Sequence, residues 1–422
     1  MNVKVAPTEL SGRASPPSSK SDIHRRLIAA ALLSGGTVKF SGTPSDDIIA
    51  TADCLRAMGA DVTLAASEIS VSPIDRSRPH MPLCCRESGS TLRFLLPVCA
   101  ALGGEFEMHL AGRLPERPLA PLDDELRRHG ANITLDRNIL RVSGPLSGGS
   151  FTIDGGVSSQ FVSGLLFSSL ITDSDVRVTG RIESAPYIAM TTDAIRSAGV
   201  SIAEDGGLYH ITDRSPHKIN CAAEGDWSGA AFLVAAGALS HAGVTVGKVS
   251  TDSRQGDRWI LDIVREMGAS VTENSDGITV RRGAVRAIKL NAADVPDLVP
   301  AVAALAALAD GVSEITGAAR LRLKESDRIA SVAAMVNSLG GDAAERPDGL
   351  VIRGRPDLPG GTVDSFGDHR IAMAAAILGS RTAGGAIIRG AECVSKSFPD
   401  FFECFAALGG DVRTAETEEE FS

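Results

Sequence analysis

The chain has 422 residues, enough for two domains of ordinary size. Hydrophobic residues make up 43% and charged residues 22%, as in globular proteins, and the formal net charge of -10 argues against a general nucleic-acid binder, which normally carries a basic face. The seven cysteines include no Cys-x-x-Cys pair, so we expect reduced thiols instead of a zinc site or a disulfide framework. No targeting signal is visible, and no apolar run approaches the roughly 20 residues that cross a bilayer, so we expect a cytoplasmic protein with no membrane partner.

One sequence pattern recurs six times along the chain. Each copy reads as the end of an amphipathic helix, a glycine, and then an alternating, strand-like segment. A glycine just beyond a helix adopts the left-handed conformation at little cost, so the pattern predicts helix, turn and strand. The glycines, roughly 70 residues apart, are Gly59, Gly130, Gly199, Gly268, Gly340 and Gly409.

A second element recurs in the same phase. A helix rich in small apolar residues precedes a glycine-bounded strand in each copy, for example at residues 23–33, 91–102 and 371–378. A helix that is hydrophobic on every side is buried. The first three such helices begin with serine-rich turns and the last three with Asp226, Asp297 and Asp368, which predicts two domains of three units. The helix N-termini in each domain would converge and attract anions.

Basic residues and short hydroxyls recur at two places in the repeat: the start of the buried helix and the loop before the amphipathic helix. Each one alone fits an N-cap or a solvated surface charge. Their recurrence in one phase predicts anion binding instead, because solvated charges have no reason to follow the repeat. They include Lys20, Arg25, Arg93, Arg370, Arg113, Arg117, Lys324, Arg328 and Lys396.

Ten motifs resemble, in chain order, those of the 5-enolpyruvylshikimate-3-phosphate (EPSP) synthase family of enolpyruvyl transferases. They are SKSDIHRRLIAAAL, GSTLRF, RLPERPL, SSQFVSGLL, PYIAMT, GDWSGAAF, VPDLVPAVA, LKESDR, GDHRIAMA and SKSFPDFF. The resemblance runs from residue 20 to residue 402. It implies an α/β fold of two inside-out α/β domains, each of three similar repeat units around buried helices, with ligands in the cleft between them. We place the first domain at residues 13–225 and the second at residues 1–12 plus 226–422.

The resemblance also implies an activity. A transferase of this family moves the enolpyruvyl group of phosphoenolpyruvate to the 5-hydroxyl of shikimate 3-phosphate and releases phosphate, in the shikimate pathway of aromatic amino-acid biosynthesis. We expect a monomer that needs no cofactor or metal and binds no nucleic acid. Two alternatives stay open: transfer to UDP-N-acetylglucosamine, and a non-catalytic anion-binding protein of the same fold. The absence of a cysteine at residues 111–122 argues against the first, and the presence of the carboxylates and arginines argues against the second.

Carried over residue by residue, the resemblance assigns roles to the candidate site residues. Shikimate 3-phosphate would contact Lys20, Ser21, Arg25, Ser158, Ser159, Gln160, Ser184, Tyr187, Asp297 and Lys324. Phosphoenolpyruvate would contact Lys20, Gly89, Arg113, Gln160, Arg328, Arg370 and Lys396. Asp297 and Glu325 would transfer protons, with Lys20 as a third catalytic residue. Two positions depart from the family pattern: Glu87, where asparagine is common, and Arg320, where asparagine or histidine is common.

These residue types suit the chemistry that the resemblance implies. Each substrate carries a phosphate and a carboxylate, and their mutual repulsion grows as water is excluded. Lysine and arginine cancel that repulsion, and the arginine fork binds either anion through two hydrogen bonds. One carboxylate is needed to accept the hydroxyl proton, and one acid to protonate C3 of phosphoenolpyruvate.

Overall fold

The structure, a computed structural model, describes residues 1–416 and divides the chain into two compact units. The first unit is Ser18–Ala223, and the second joins Met1–Pro17 to the chain from Glu224 onward. The divisions expected from the sequence lay after residues 12 and 225. Strand β2 (Gly12–Ala14) pairs in parallel with β15 (Val244–Val246), and this pairing ties the residues around position 13 to the second unit.

The first unit contains six helices and twelve strands. The helices are α1 Lys20–Leu32, α2 Asp46–Ala57, α3 Gly89–Leu102, α4 Leu122–Arg128, α5 Ser159–Thr172 and α6 Ala185–Ser197. The strands are β3 Gly36–Lys39, β4 Val62–Leu64, β5 Glu68–Val71, β6 Leu83–Arg86, β7 Glu105–Leu110, β8 Asn132–Asp136, β9 Ile139–Ser143, β10 Ser150–Asp154, β11 Asp175–Thr179, β12 Val200–Asp205, β13 Leu208–Arg214 and β14 Ile219–Ala222.

The second unit, over the residues described, has the same inventory. Its helices are α7 Trp227–Ala238, α8 Ile260–Glu266, α9 Val299–Ala306, α10 Arg328–Ser338, α11 His369–Gly379 and α12 Phe401–Ala407. Besides β2 and β15, its strands are β1 Asn2–Val5, β16 Ser270–Asn274, β17 Gly277–Arg281, β18 Lys289–Asn291, β19 Val312–Thr316, β20 Asp342–Arg346, β21 Gly349–Arg353, β22 Gly361–Asp364, β23 Ala386–Arg389 and β24 Val412–Ala415.

All six sheets have four strands and the same pairing scheme. The first strand runs parallel to the second, and the third and fourth continue the sheet antiparallel. The orders are β14-β3-β5-β4, β6-β7-β9-β8 and β10-β11-β13-β12 in the first unit, and β2-β15-β17-β16, β18-β19-β21-β20 and β22-β23-β1-β24 in the second. Six copies of one sheet correspond to the sixfold sequence pattern, and the predicted α/β class is confirmed.

The six recurring glycines lie where the sequence pattern predicts a turn. Each follows the end of an amphipathic helix by two residues and has a positive φ, between +87° and +102°. A side chain in this conformation is strained, and only glycine avoids the clash. The chain then enters β4, β8, β12, β16, β20 or β24.

The apolar helices form the cores of the two units. In the first unit α5 packs against both α1 and α3, and in the second α7, α9 and α11 pack against one another. Every residue of α9 is buried, and most are alanine or valine. Small side chains let such helices approach closely, and burial of their apolar surface contributes about 0.8 kcal/mol per methylene. None of the helices within residues 1–416 is long and apolar enough to cross a membrane.

Candidate active site

Serine N-caps fix the starts of the three buried helices of the first unit. Ser19, Ser88 and Ser158 each accept a hydrogen bond from a backbone N–H in the first turn of α1, α3 or α5. A serine cap contributes about 1 kcal/mol to helix stability. Capping uses only a lone pair of the hydroxyl oxygen, so the hydroxyl proton can still be donated to an anion. The predicted ligand Ser158 can therefore have both roles.

A chain of buried hydrogen bonds joins α1, α2 and α3. The His24 ring lies 2.6 Å from the Thr51 hydroxyl, which lies 2.7 Å from the Thr91 hydroxyl, and Thr91 donates to Ser88. Burial lowers the pKa of His24 to about 3. The ring is therefore neutral at physiological pH, and its part in this chain is to hold α1, α2 and α3 in register.

Lys20 and Arg25 both project from α1. The Lys20 ammonium lies 2.8 Å from the carboxylate of Asp47 in the first turn of α2. The Arg25 guanidinium is 2% exposed and donates to the Thr191 hydroxyl and to the backbone carbonyl of Tyr187. Burial lowers the pKa of Arg25 to about 10, which still leaves it protonated at neutral pH. On α1 the protein thus holds a buried, fixed positive charge at Arg25 and a partly exposed one at Lys20.

Gly89 begins α3 at a point where two guanidinium groups meet. A β-carbon added at Gly89 would lie 2.9 Å from the Nη1 atoms of both Arg93 and Arg117. The Arg93 guanidinium donates to the side chain of Gln160, at 2.8 Å, and Gln160 donates to Ser90. Two like charges beside a helix N-terminus repel each other, and an anion bound there would relieve that repulsion.

The other predicted ligands of the first unit differ in burial and in contacts. Ser184 is buried in a left-handed conformation at the start of α6, and the Tyr187 ring lies 5.8 Å from the guanidinium carbon of Arg25. Arg113, in contrast, is half exposed and pairs with Glu116 at 3.5 Å. The role of Arg113 stays a prediction, and the geometry favours Arg117 for the position beside Gly89. Glu87, the first departure, lies between β6 and α3 and packs against Gly112 in the loop after β7.

The three aspartates of the second unit differ in what their carboxylates do. Asp226 and Asp368 are N-caps, and their side chains accept backbone N–H groups in the first turns of α7 and α11. Asp297 lies in a 3-10 turn, Pro296–Leu298, that precedes α9 and makes no capping hydrogen bond of that kind. Its carboxylate is instead held by side chains, and this leaves Asp297 as the aspartate suited to chemistry.

Arg328 holds three carboxylates at once. Its Nη1 lies 2.6 Å from Asp297 Oδ1, its Nη2 lies 2.6 Å from Glu325 Oε2, and its Nε lies 2.7 Å from Asp368 Oδ2. Arg328 is only 1% exposed, and burial alone would lower its pKa, but the carboxylates raise it above the ordinary value. The two predicted proton-transfer residues, Asp297 and Glu325, are therefore fixed on one buried guanidinium.

Two further cations lie against Asp297. Lys324 Nζ is 3.4 Å from Asp297 Oδ1, and Arg370 Nη2 is 3.3 Å from Asp297 Oδ2. Burial by itself raises the pKa of Asp297, but the neighbouring cations outweigh it and hold that pKa well below the ordinary value. Asp297 is thus a carboxylate at neutral pH, able to accept a proton once anions engage its cations.

Two further residues of the second unit come from the sequence analysis. Lys396 is buried at the end of the 3-10 helix Ala391–Lys396, which packs against α11. Arg320, the second departure, donates to the backbone carbonyl of Ala293 at 2.6 Å, four residues before Asp297. This contact gives Arg320 a role in holding the loop that carries Asp297.

The structure adds to the candidate residues four that the assigned set left out, two in each unit. Arg93 and Arg117 carried a signal, because both stand in the recurring polar segments, but the choice between Arg113 and Arg117 depends on how the loop turns. Asp368 had the signal of a helix start. Asp257, which is fully buried and interacts electrostatically with Asp297, is an isolated acid in RQGDRW and had no sequence signal.

Comparisons with known proteins identify the family. The sequence model of the family described as EPSP synthase (3-phosphoshikimate 1-carboxyvinyltransferase) matches residues 5–405. Curated relatives named 3-phosphoshikimate 1-carboxyvinyltransferase include one from Clostridium kluyveri, 39% identical over 97% of this chain and 98% of its own, and one from Halobacterium salinarum, 38% identical over 98% and 100%.

Solved structures show the same likeness. The EPSP synthase of Acinetobacter baumannii superposes with a TM-score of 0.78 at 26% identity, covering 98% of this chain and all of the other. The enolpyruvyl transferase NikO of Streptomyces tendae, with a TM-score of 0.77 at 18% identity, shares the fold over 98% of each chain. The fold is that of an enolpyruvyl transferase. The chain belongs to the EPSP synthase family.

Proposed function

We propose that this protein transfers the enolpyruvyl group of phosphoenolpyruvate to the 5-hydroxyl of shikimate 3-phosphate, in the shikimate pathway. The observation that carries the proposal is the cluster in which Arg328 fixes Asp297 and Glu325 while Arg370 and Lys324 flank Asp297. The cluster combines positive charge for anionic substrates with two placed carboxylates for proton transfer. Family membership supplies the identity of the substrates.

Acceptor binding is assigned mainly to the first unit. Lys20, Arg25 and the hydroxyls at the starts of α1, α5 and α6 offer positive charge and hydrogen-bond donors to a phosphate and to ring hydroxyls. Arg25 is the best-placed anchor, because its contacts with Thr191 and the Tyr187 carbonyl fix its orientation before the substrate arrives. A charge fixed in advance loses little entropy on binding.

Donor binding in the first unit is assigned to Arg93 and Arg117 at the start of α3, together with Gln160. Gln160 orients Arg93 through one hydrogen bond, and the absence of a side chain at Gly89 leaves room for an anion. In the second unit, Arg370 and Lys396 serve the same substrate. The guanidinium of Arg328 is already engaged by three carboxylates. We therefore assign to it mainly the orientation of Asp297 and Glu325, and ligand binding only in second place.

The proton steps follow from the chemistry of the donor. The acceptor oxygen forms a bond to C2 of phosphoenolpyruvate while C3 gains a proton, which produces a tetrahedral intermediate. Loss of phosphate from C2 and of a proton from C3 then restores the double bond. Asp297, ionised in the free protein, accepts the hydroxyl proton, and Glu325 exchanges the proton with C3. Proton transfer by placed groups contributes roughly 10²–10⁴-fold to the rate.

Phosphate release from purified protein mixed with phosphoenolpyruvate and shikimate 3-phosphate tests the proposal, and UDP-N-acetylglucosamine serves as the control acceptor. Asp297→Asn is the active-site variant, and Asp262→Asn, an exposed surface change on α8, is the matched control. We expect release with shikimate 3-phosphate only, and its loss in the first variant only. Release with UDP-N-acetylglucosamine instead would contradict the proposed acceptor. We also propose that the reaction takes place in the cytoplasm and that the protein is a monomer. Gel filtration with light scattering would test the oligomeric state.

A further inference from the structure

A buried carboxyl group lies beside the Asp297 cluster and has no part in the steps above. Asp257 lies in the 3-10 turn Gly256–Trp259, which packs against α7, and its side chain is 0% exposed. Its Oδ2 accepts a hydrogen bond from the hydroxyl of Ser228 in the first turn of α7. Its Oδ1 is buried and has no hydrogen-bond partner among residues 1–416. Burial of Oδ1 without a hydrogen bond disfavours a negative charge on this carboxyl group.

Charged groups reach Asp257 from three other elements. Asp297 acts from the turn before α9, Asp226 from the N-cap of α7, and Arg370 from the first turn of α11. Two of these groups are carboxylates, which disfavour ionisation of Asp257, and one is a guanidinium, which favours it. The protonation equilibrium of Asp257 therefore depends on whether the charge of Arg370 is neutralised by another anion.

The remaining charges near this turn lie at the surface. On α8, which also packs against the turn, Asp262 and Arg265 pair with each other at 2.9 Å, and Glu266 is exposed, as is Arg258 on the turn itself. Burial is the larger influence and the charge of Asp297 adds to it, so the pKa of Asp257 is raised to about 6, against the opposing hydrogen bond from Ser228. The group is thus near its titration point at neutral pH.

We propose that Asp257 takes up a proton from solvent when the anionic substrates bind, and that this uptake keeps Asp297 ionised and able to act as a base. The proposal rests on the proposed function, since it requires an anion on Arg370. Such an anion pairs with the guanidinium of Arg370, whose positive charge otherwise favours ionised Asp257. It also adds negative charge to a poorly solvated region. Of the two carboxylates, Asp257 gains the proton, because Arg328 and Lys324 still hold Asp297 in its charged form. Asp257 is accordingly a positioning residue that acts through Asp297.

Calorimetric titration in buffers of different ionisation enthalpy tests this coupling. Shikimate 3-phosphate is titrated first and inorganic phosphate second, so that no reaction occurs, at intervals from about pH 5.5 to about pH 8.5. The slope of observed heat against buffer enthalpy gives the number of protons taken up on binding. Parent, Asp257→Asn and the surface control Asp262→Asn are compared with the same ligands, so that the protonation of the ligands themselves cancels.

We expect the parent and Asp262→Asn to take up as much as about one proton more than Asp257→Asn, mainly between about pH 6 and about pH 8. Across that window, the affinity of the parent for these anions should fall as pH rises. The fall should be as much as about tenfold per pH unit steeper than in Asp257→Asn, because one proton is linked to binding. A merely structural role would weaken binding equally at every pH. Ser228→Ala, which removes the hydrogen bond that favours ionisation, should move the window to higher pH.

Equal proton uptake by the parent and Asp257→Asn, in protein that binds and turns over, would overturn this inference and leave the proposed function intact. If Asp257→Asn does not fold, an unchanged pH window in Ser228→Ala overturns it. No binding heat and no turnover in the parent would overturn the proposed function, and the inference with it.

Discussion

Replacement of Arg328 is the most direct perturbation of the second-unit cluster. Arg328→Met removes four hydrogen bonds to Asp297, Glu325 and Asp368, and Asp368 is 0% exposed. Loss of one partner of a buried charge pair costs about 3–5 kcal/mol, because the other charge is left without compensation. Domains are stable by about 5–15 kcal/mol, so this change removes a large part of the stability of the second unit.

Arg328→Lys separates charge from geometry. A lysine keeps the positive charge, but one ammonium cannot reach three carboxylates in the directions that the guanidinium does. Loss of a hydrogen bond to a charged group costs about 1.5–3 kcal/mol, so we expect a loss of about 2–3 kcal/mol in the free energy of unfolding. Because Asp297 and Glu325 lose their common support, the turnover number should fall about 10²-fold.

Urea denaturation followed by tryptophan fluorescence measures the effect on the correct unit. The chain has two tryptophans, Trp227 and Trp259, and both lie in the second unit. Arg265→Met, which breaks an exposed pair on α8, is the control and should cost less than about 1 kcal/mol. If Arg328→Lys unfolds within about 0.5 kcal/mol of the parent and keeps the parent turnover number, Arg328 does not organise the two carboxylates.

Three further predictions follow from the same contacts. Asp297→Asn and Glu325→Gln should each lower the turnover number about 10²–10⁴-fold in steady-state assays, and far more than they weaken shikimate 3-phosphate binding, because they keep the side-chain shape and remove the proton-transfer group. Gly89→Ala places a methyl group 2.9 Å from both guanidinium groups beside it, so the KM for phosphoenolpyruvate should rise at least about tenfold while that for the acceptor stays near the parent value. Asp257→Asn should be more stable than the parent above about pH 6, by up to about 3 kcal/mol in urea denaturation, and the difference should vanish near pH 4.

The sign of the last effect follows from the raised pKa of Asp257. The unfolded chain ionises this group near pH 4, whereas the folded protein resists ionisation until about pH 6, so the parent loses stability as pH rises between these values. The asparagine variant has nothing to ionise. Equal stability of the two proteins at pH 7.5 would show that Asp257 is not held in a dry site. Parent-like turnover in Asp297→Asn or Glu325→Gln would remove that residue from the mechanism, and an unchanged KM for phosphoenolpyruvate in Gly89→Ala would show that Gly89 does not line the donor site.

The sixfold repeat, the six turn glycines and the buried helices were all readable from the sequence. They depend on local rules: a positive φ requires glycine at Gly59 and its five counterparts, and a helix without a polar face must be buried. The sequence also predicted the class of site, an anion-binding site, because basic residues and hydroxyls recur in phase with the helix starts. Family resemblance then assigned substrates to residues that pattern alone left open between capping and binding.

Other properties depend on contacts between residues far apart in the chain. Asp226, Asp297 and Asp368 stand at equivalent points of the repeat, yet Asp226 and Asp368 cap helices and Asp297 does not, because a 3-10 turn displaces it from the cap position of α9. Arg117, and not Arg113, reaches Gly89 because of the path of a single loop. The unusual pKa of Asp257 arises from burial and from charges at positions 226, 297 and 370, which no local pattern connects. The sequence alone therefore determined the repeat, the helix starts and the residue types, whereas tertiary packing decided which carboxylate is free to act, because pKa and orientation depend on neighbours in space.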